Sequence, residues 1–302
     1  NEGSCPTRGV QPENFVNQLL ASPRRKRSAP PRVHSMRPII NLSKYPIHQL
    51  SSAAGRSLID HCRRLLDQQG FVALPDFVAP EVAARVVDES RELESRGAGF
   101  YSTERHKVFL AEEGARAAAD LPAGHPRLQQ VSSSKLLFAA DEITSTSPLK
   151  MLYEWPPMVG FVQEALRLPA LHASACPLGK YIVNVFRPGD QLGWHFDNSE
   201  FSVNVILQPA EAGGDFQFAP RSHELVDAMD VFPPPEEVDT HLKVLSPPLL
   251  SGSVYLFNGR RSLHRVSPVE EGKRINAILT FNSEPDQRLN EYTLQKFFGR
   301  MG

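Results

Sequence analysis

Four side chains, His195, Asp197, His264 and Arg274, have the types and the spacing to carry chemistry that none of them carries alone. His195 and Asp197 stand two apart in Trp194-His195-Phe196-Asp197. In extended backbone side chains alternate, so an imidazole and a carboxylate enter one cavity. Two neutral imidazoles and one carboxylate make the facial donor set that suits non-haem iron(II), leaving cis positions open for a cosubstrate and dioxygen. His264 is the candidate third ligand. Ten residues beyond it, Arg274-Ile275-Asn276-Ala277-Ile278-Leu279-Thr280-Phe281-Asn282 alternates as a strand does, which puts Arg274, Asn276, Thr280 and Asn282 on one side. A buried guanidinium there needs an anion. A lone His-x-Asp is weak, because a buried histidine is more often a hydrogen-bonded core residue than a ligand. The ordered set of four outweighs that reading, whereas His223, close behind a strand, is read as a loop residue.

Strands must position these groups. From Lys180 onward short strands alternate with turn signals: Tyr181 to Phe186, Phe201 to Leu207, Asp215 to Phe218, Val254 to Phe257 and Ile275 to Phe281. Their length and spacing predict an α+β protein with a double-stranded β-helix, or jelly-roll, core over roughly 179–283, and a carboxy-terminal helix over 288–300. Helical support is expected over roughly 53–170. Leu58, Ile59, Cys62, Leu65 and Leu66 fall at helical spacing before the stop signal Gly70. Phe71 to Leu74 reads as a strand, and Pro80 opens a second helix through Ser95. Gly97 to Ala140 has no assignable pattern. Ser147 to Leu168 reads as a helix broken at Pro156-Pro157, with Trp155 either exposed beside Glu154 to meet a cation or plugging the helix against the barrel. The Pro- and Glu-rich stretch Asp227 to Pro248 is expected to be a surface loop that helps cover the mouth of the site.

Taken together these residues resemble the iron(II)/2-oxoglutarate-dependent dioxygenases. The resemblance rests on His195-x-Asp197, His264 and Arg274, and on the words Phe186-Arg187-Pro188-Gly189-Asp190, Gly213-Gly214-Asp215-Phe216, Gly252-Ser253-Val254-Tyr255-Leu256-Phe257 and Leu263-His264-Arg265-Val266. It implies iron(II) on His195, Asp197 and His264, 2-oxoglutarate as cosubstrate, and O2 as oxidant. Arg274 is implied to hold the distal carboxylate of 2-oxoglutarate and Asn276 to add a hydrogen bond, although many members carry Ser there. Asn184 and Asn198 each touch cosubstrate or substrate, or else tie down a turn. Locally the chain is most similar to the small free-amino-acid halogenases and hydroxylases. The halogenating members carry Gly or Ala at the position of Asp197, so the resemblance implies hydroxylation, desaturation or oxidative cyclisation of an amino acid or derivative. A prolyl-hydroxylase-type enzyme acting on protein is the first alternative; such enzymes commonly use Lys in place of the Arg, and a peptide groove would mark one. A catalytically silent jelly-roll binding module is the second.

Composition narrows the field. The 302 residues are 41% hydrophobic and 22% charged, as in ordinary soluble domains, and 33 basic against 34 acidic residues give a net charge of −1. Nothing in that balance attracts nucleic acid or an anionic membrane, which argues for a small-molecule partner. Cys5, Cys62 and Cys176 show neither a disulfide framework nor a zinc pattern, which fits a reducing, cytoplasmic or organellar compartment and not secretion. No apolar run reaches the roughly eighteen residues of a membrane span. Residues 1–37, poor in acid and rich in Arg, Ser and Pro, are expected to form a disordered leader, either a transit peptide or a non-homologous extension. A single catalytic domain is expected over 38–302.

Overall fold

Apolar spacing and end signals set the helices. In the computed structural model, which describes residues 39–110, 121–199 and 201–301, α1 (Ala53–Gln69) begins where the Ser52 side chain accepts from the Gly55 N–H. It ends at Gly70 in the left-handed conformation, which costs glycine little. β1 (Phe71–Leu74) follows, then α2 (Pro80–Ser95) with Val82, Val86 and Leu93 buried. The Pro156-Pro157 break yields two helices, α3 (Pro148–Glu154) and α4 (Pro156–Leu166). Trp155 between them is fully buried among core residues, so the plug reading holds and the cation-binding one does not. The leader assigned to 1–37 lies outside the described residues.

Gly97 to Ala140, without a legible pattern in the sequence, contains two strands among its described residues. β2 (Phe100–Lys107) pairs antiparallel along its whole length with β3 (Gln130–Phe138). Polar residues on their inward faces mask the alternation, since the buried ones include Ser102, His106, Ser133 and Lys135.

The remaining strands are β4 (His172–Ala173), β5 (Tyr181–Phe186), β6 (Gln191–His195), β7 (Ser202–Gln208), β8 (Ala212–Gly213), β9 (Phe216–Ala219), β10 (Val254–Phe257), β11 (Leu263–Val266), β12 (Val269–Glu271), β13 (Arg274–Leu279) and β14 (Phe281–Asn282). One curled antiparallel sheet runs β1-β10-β7-β13-β5-β3-β6-β11-β9, with β2 on the free side of β3. Six chain passages cross from one arm of it to the other, and three of them lie together at one end: β5 into β6, β7 into β9, and β11 into β13. Their corners are bonded together. Val269 N donates to Asp190 O, Glu211 N to Glu271 O and Gly214 N to Pro268 O. β3 belongs to both arms, its Leu136–Phe138 end pairing β5 and its Ser133 and Ser134 pairing β6. Asp190, buried at the first corner, accepts from Tyr101 Oη and Ser134 Oγ, both at 2.6 Å, and from Arg187 N at 2.8 Å. This is the jelly-roll core expected, and α1 to α4 pack into its largest apolar cluster.

Two short helices, α5 (His223–Asp227) and α6 (Val238–His241), lie in and beside the stretch expected to shield the mouth. That stretch does something else. Phe232, Val238 and Leu242 pack on Trp194, whose Nε1 donates to Pro235 O at 3.1 Å. Trp194 neighbours His195 in the strand and therefore points the opposite way, so the insertion covers the outside of the β6–β11–β9 arm and not the mouth. The last helix, α7 (Glu291–Phe298), capped by Asn290 Oδ1 accepting from Thr293 N, takes the covering position instead. No helix among the described residues is long and apolar enough to cross a membrane.

Candidate metal and cosubstrate site

Register brings the first two imidazoles together. β6 and β11 pair so that His195 and His264 are directly opposite, and their ring centroids lie 4.1 Å apart. Asp197 stands just beyond the end of β6. Its N–H donates to Gly259 O at 3.0 Å, which keeps the backbone close to extended and the carboxylate on the histidine side. Asp197 Oδ1 lies 3.4 Å from His195 Nε2 and 3.5 Å from His264 Nε2. The three donor atoms fall within 4.8 Å of one another, close enough to share one ion. His223 is elsewhere: its ring packs edge-on to Phe109 and Phe196 from the first residue of α5, a helical and not a loop position.

Both histidines present the correct nitrogen. His195 Nδ1 meets Gly193 O at 2.8 Å and His264 Nδ1 meets Ser262 O at 3.0 Å. A carbonyl can only accept, so each Nδ1 carries hydrogen and each Nε2 lone pair faces the shared centre. Burial, then the neighbouring His264, pushes the His195 pKa down and favours the neutral, metal-binding ring. Burial alone would raise the Asp197 carboxyl, but His264 and His195 outweigh it and hold the group below the usual carboxylate range. His195 and Asp197 are thus in ligand form at neutral pH. Behind them His106 Nε2 bonds Ser133 Oγ at 2.7 Å, and its ring meets that of His195 edge-on at 5.5 Å.

Gly259 is shaped to this carboxylate. A Cβ on Gly259 would lie 1.9 Å from Asp197 Oδ2 and 3.0 Å from its Cβ, so any larger residue displaces the whole short side chain. Gly259→Ala should therefore lower iron(II) affinity about ten- to a hundredfold, the usual cost of disturbing a ligand's support, while leaving the thermal transition close to wild type. Anaerobic iron titration checks this, and wild-type affinity would show that Asp197 is not a ligand.

Arg274, the candidate anion anchor, lines an adjoining cavity of about 60 Å³ together with His195, Asp197, His264, Asn184 and Tyr255. Arg274 is 3% exposed, and among the described residues no carboxylate lies within ion-pair distance of it. Its Nη1 donates to Asn276 Oδ1, Asn276 Nδ2 donates to Asn204 Oδ1 at 3.2 Å, and its guanidinium lies 5.4 Å from the Phe186 ring centre. Asn276 thus aims the guanidinium. Tyr255 was not apparent in the sequence, where it read only as a strand residue. Burial pushes its pKa up to about 12, so it stays a hydroxyl donor beside Arg274. Asn184 is 1% exposed and its Oδ1 has no partner. A buried guanidinium without a carboxylate partner among the described residues, a buried phenol and an orphaned amide around one small cavity fit a carboxylate ligand, since leaving them unmatched is costly. Asn276→Leu removes the aiming acceptor and should weaken 2-oxoglutarate about tenfold with iron affinity unchanged, measured by anaerobic titration.

Asn198 lies at the rim of a second, outer cavity, where its backbone carbonyl accepts from Arg260 Nε at 3.1 Å. Asn282, expected on the site side of one long strand, is not there. β13 ends at Leu279, and Asn282 on β14 donates to Gln287 O. Lys135, on the inward face of β3, lines both cavities. Its signal in the sequence was a lysine on the inward side of the alternating run Val131-x-Ser133-x-Lys135-x-Leu137.

The fold and the site together define the class, an iron(II)- and 2-oxoglutarate-dependent oxygenase. Among solved structures, the alpha-ketoglutarate-dependent epimerase SnoN from nogalamycin biosynthesis superposes with TM-score 0.50 at 14% identity over 75% of this chain and 83% of that one. A complex of the same enzyme with Fe3+, alpha-ketoglutarate and nogalamycin RO gives TM-score 0.50 at 16% identity, over 75% and 84%. A 2OG-Fe(II) oxygenase family oxidoreductase from Burkholderia pseudomallei matches at TM-score 0.47 and 14% identity, over 76% and 92%. At these identities the likeness is one of fold. No curated protein matches the sequence significantly. The family is set by residues 54–296, which match the family model of Halogenase D: the chain belongs to the Halogenase D family.

Proposed function

We propose that this protein oxidises a C–H bond of a small metabolite, an amino acid or a derivative of one, by hydroxylation, desaturation or oxidative cyclisation, and that it does not halogenate. One observation carries the reading: the carboxylate of Asp197 lies within 3.4–3.5 Å of both imidazole Nε2 atoms, where a halogenase needs an open coordination position for chloride. In this reading His195, Asp197 and His264 hold iron(II), Arg274 binds the distal carboxylate of 2-oxoglutarate, Asn276 orients Arg274, Asn184 touches the cosubstrate, and Asn198 meets substrate at the rim. The whole apparatus belongs to one catalytic domain over 38–302.

When bound, iron and 2-oxoglutarate supply oxidising power, with O2 consumed and the cosubstrate decarboxylated to succinate. The chain supplies position. Arg274 offers planar, bidentate donors to a carboxylate, and Tyr255 adds a hydroxyl beside it. Phe216 and Phe257 pack against the His264 ring at 6.0 and 4.8 Å and keep water from that side of the centre. The outer cavity, about 300 Å³ and roofed by α7, is of small-molecule size, which favours a metabolite over a peptide laid in a groove.

The test is anaerobic binding of Fe(II) and 2-oxoglutarate, followed by a metabolite screen for substrate-triggered oxygen uptake in buffered chloride. An oxygenated, desaturated or cyclised product is expected. A chlorinated product from the wild-type protein would overturn the reading.

A further inference from the structure

We propose that Lys135 is the anchor for an anionic group of the substrate, and that the outer cavity admits a small carboxylic acid with an apolar body. This rests on the reading above, in which Arg274 is taken by 2-oxoglutarate.

Lys135 is only 9% exposed, yet among the described residues its ammonium has neither a hydrogen-bond acceptor nor a carboxylate within ion-pair distance. Burying an unpaired cation is costly, and a lysine held for packing alone does so at a loss that Met or Leu would avoid. Desolvation lowers its pKa to about 8, with Asp197 acting in the opposite direction. Such a group is poised for an anion that the protein itself does not provide.

Placement indicates which anion. Lys135, Leu192, His195, Asp197 and Ile278 form the boundary shared by the inner and outer cavities. The ammonium lies 5.7 Å from the ring centre of Phe297, and Phe297 lines the outer cavity only. It therefore faces the substrate side, next to the metal ligands, while Arg274 serves the inner cavity. The outer walls are otherwise mostly apolar, through Leu137, Ile182, Leu289, Phe297 and Phe298, and the described lining contains no acidic side chain except Asp197. Among the described lining residues a cationic side chain finds no acidic partner beyond Asp197. With one lysine and no arginine among the described lining residues, the site suits a single carboxylate better than a phosphate, which recruits several donors. A carboxylate seated on Lys135 would fix one end of the molecule at the boundary, beside the centre that attacks it.

The experiment uses the full chain loaded anaerobically with Fe(II) and 2-oxoglutarate, and titrates in leucine, phenylalanine, hexanoic acid and octanoic acid beside the corresponding carboxamides. Binding is followed by the visible absorption of the iron–cosubstrate complex. At least one acid should bind, and its amide should bind at least about thirtyfold more weakly. Lys135→Met should abolish that preference, keep the iron and 2-oxoglutarate constants within about twofold, and raise the melting temperature of the unloaded protein, because an unpaired buried charge has been removed. Lys135→Gln, which keeps a polar head group, provides a second variant for the same three readings. If the wild-type protein forms no Fe(II)–2-oxoglutarate complex, the underlying function falls and the proposal with it. If the complex forms but no acid binds, or acids and amides bind alike, Lys135 is not a substrate anchor. Weakened 2-oxoglutarate binding in Lys135→Met would assign the lysine to the cosubstrate, and a lowered melting temperature would assign it to the structure; either result overturns the proposal.

Discussion

His264→Ala should eliminate iron(II) binding and turnover while the protein stays folded. The ring supplies one of the three protein donors gathered within 4.8 Å, and it sits opposite His195 across β6 and β11. Disturbing a group that merely supports a metal ligand costs about ten- to a hundredfold in affinity, so loss of the ligand itself should exceed that. The variant also opens a void beside Phe216 and Phe257, which will lower the melting temperature. Circular dichroism therefore accompanies the iron titration, and His195→Ala gives an independent repeat from the neighbouring strand. Wild-type iron affinity in either folded variant would remove the metal assignment.

Arg274→Ala separates cosubstrate from metal. The guanidinium is buried, aimed by Asn276 and unmatched by any carboxylate of the described chain, so an incoming carboxylate would form a desolvated charge-assisted pair. Breaking such a pair typically costs about 2–5 kcal/mol, equivalent to raising the apparent constant for 2-oxoglutarate by roughly thirtyfold or more. Iron affinity should barely move, because Arg274 is not among the three clustered donors. Arg274→Lys should fall between, since an ammonium keeps the charge but loses the planar two-point contact. Unchanged 2-oxoglutarate affinity in folded Arg274→Ala would place the anion anchor elsewhere.

A third contrast lies between these two variants and Lys135→Met. The first removes metal, the second removes cosubstrate, and the third should remove neither while changing what enters the outer cavity. One anaerobic titration format reads all three, so failure at one level is not mistaken for failure at another.

Much of the site was legible because strand periodicity is local. The two-residue step from His195 to Asp197 and the alternation from Arg274 to Asn276 set side-chain direction before any partner strand is known. The helix boundaries at Gly70, Pro80 and Pro156 were equally readable, since each follows from what Gly and Pro do to their own backbone. Where local patterning was weak, reading along the chain failed. β2 and β3 bury Ser102, His106, Ser133 and Lys135 among their inward residues, and a strand whose inner face is partly polar shows no hydrophobic alternation. The insertion from Asp227 to Pro248 was legible as irregular but not as to which face of the sheet it covers.

The sequence by itself determined the donor types, their order and the face of each strand on which they stand, and with them the class of chemistry. Only the tertiary structure decided that His264 stands opposite His195, that Gly259 leaves room for Asp197, that Tyr255 joins Arg274, and that α7 with Lys135 bounds the outer cavity. The physical reason is that direction along a strand comes from backbone geometry within a few residues, whereas register between strands comes from burial and from the bonded corners at Asp190, Pro268 and Glu271, whose partners lie far apart in the chain.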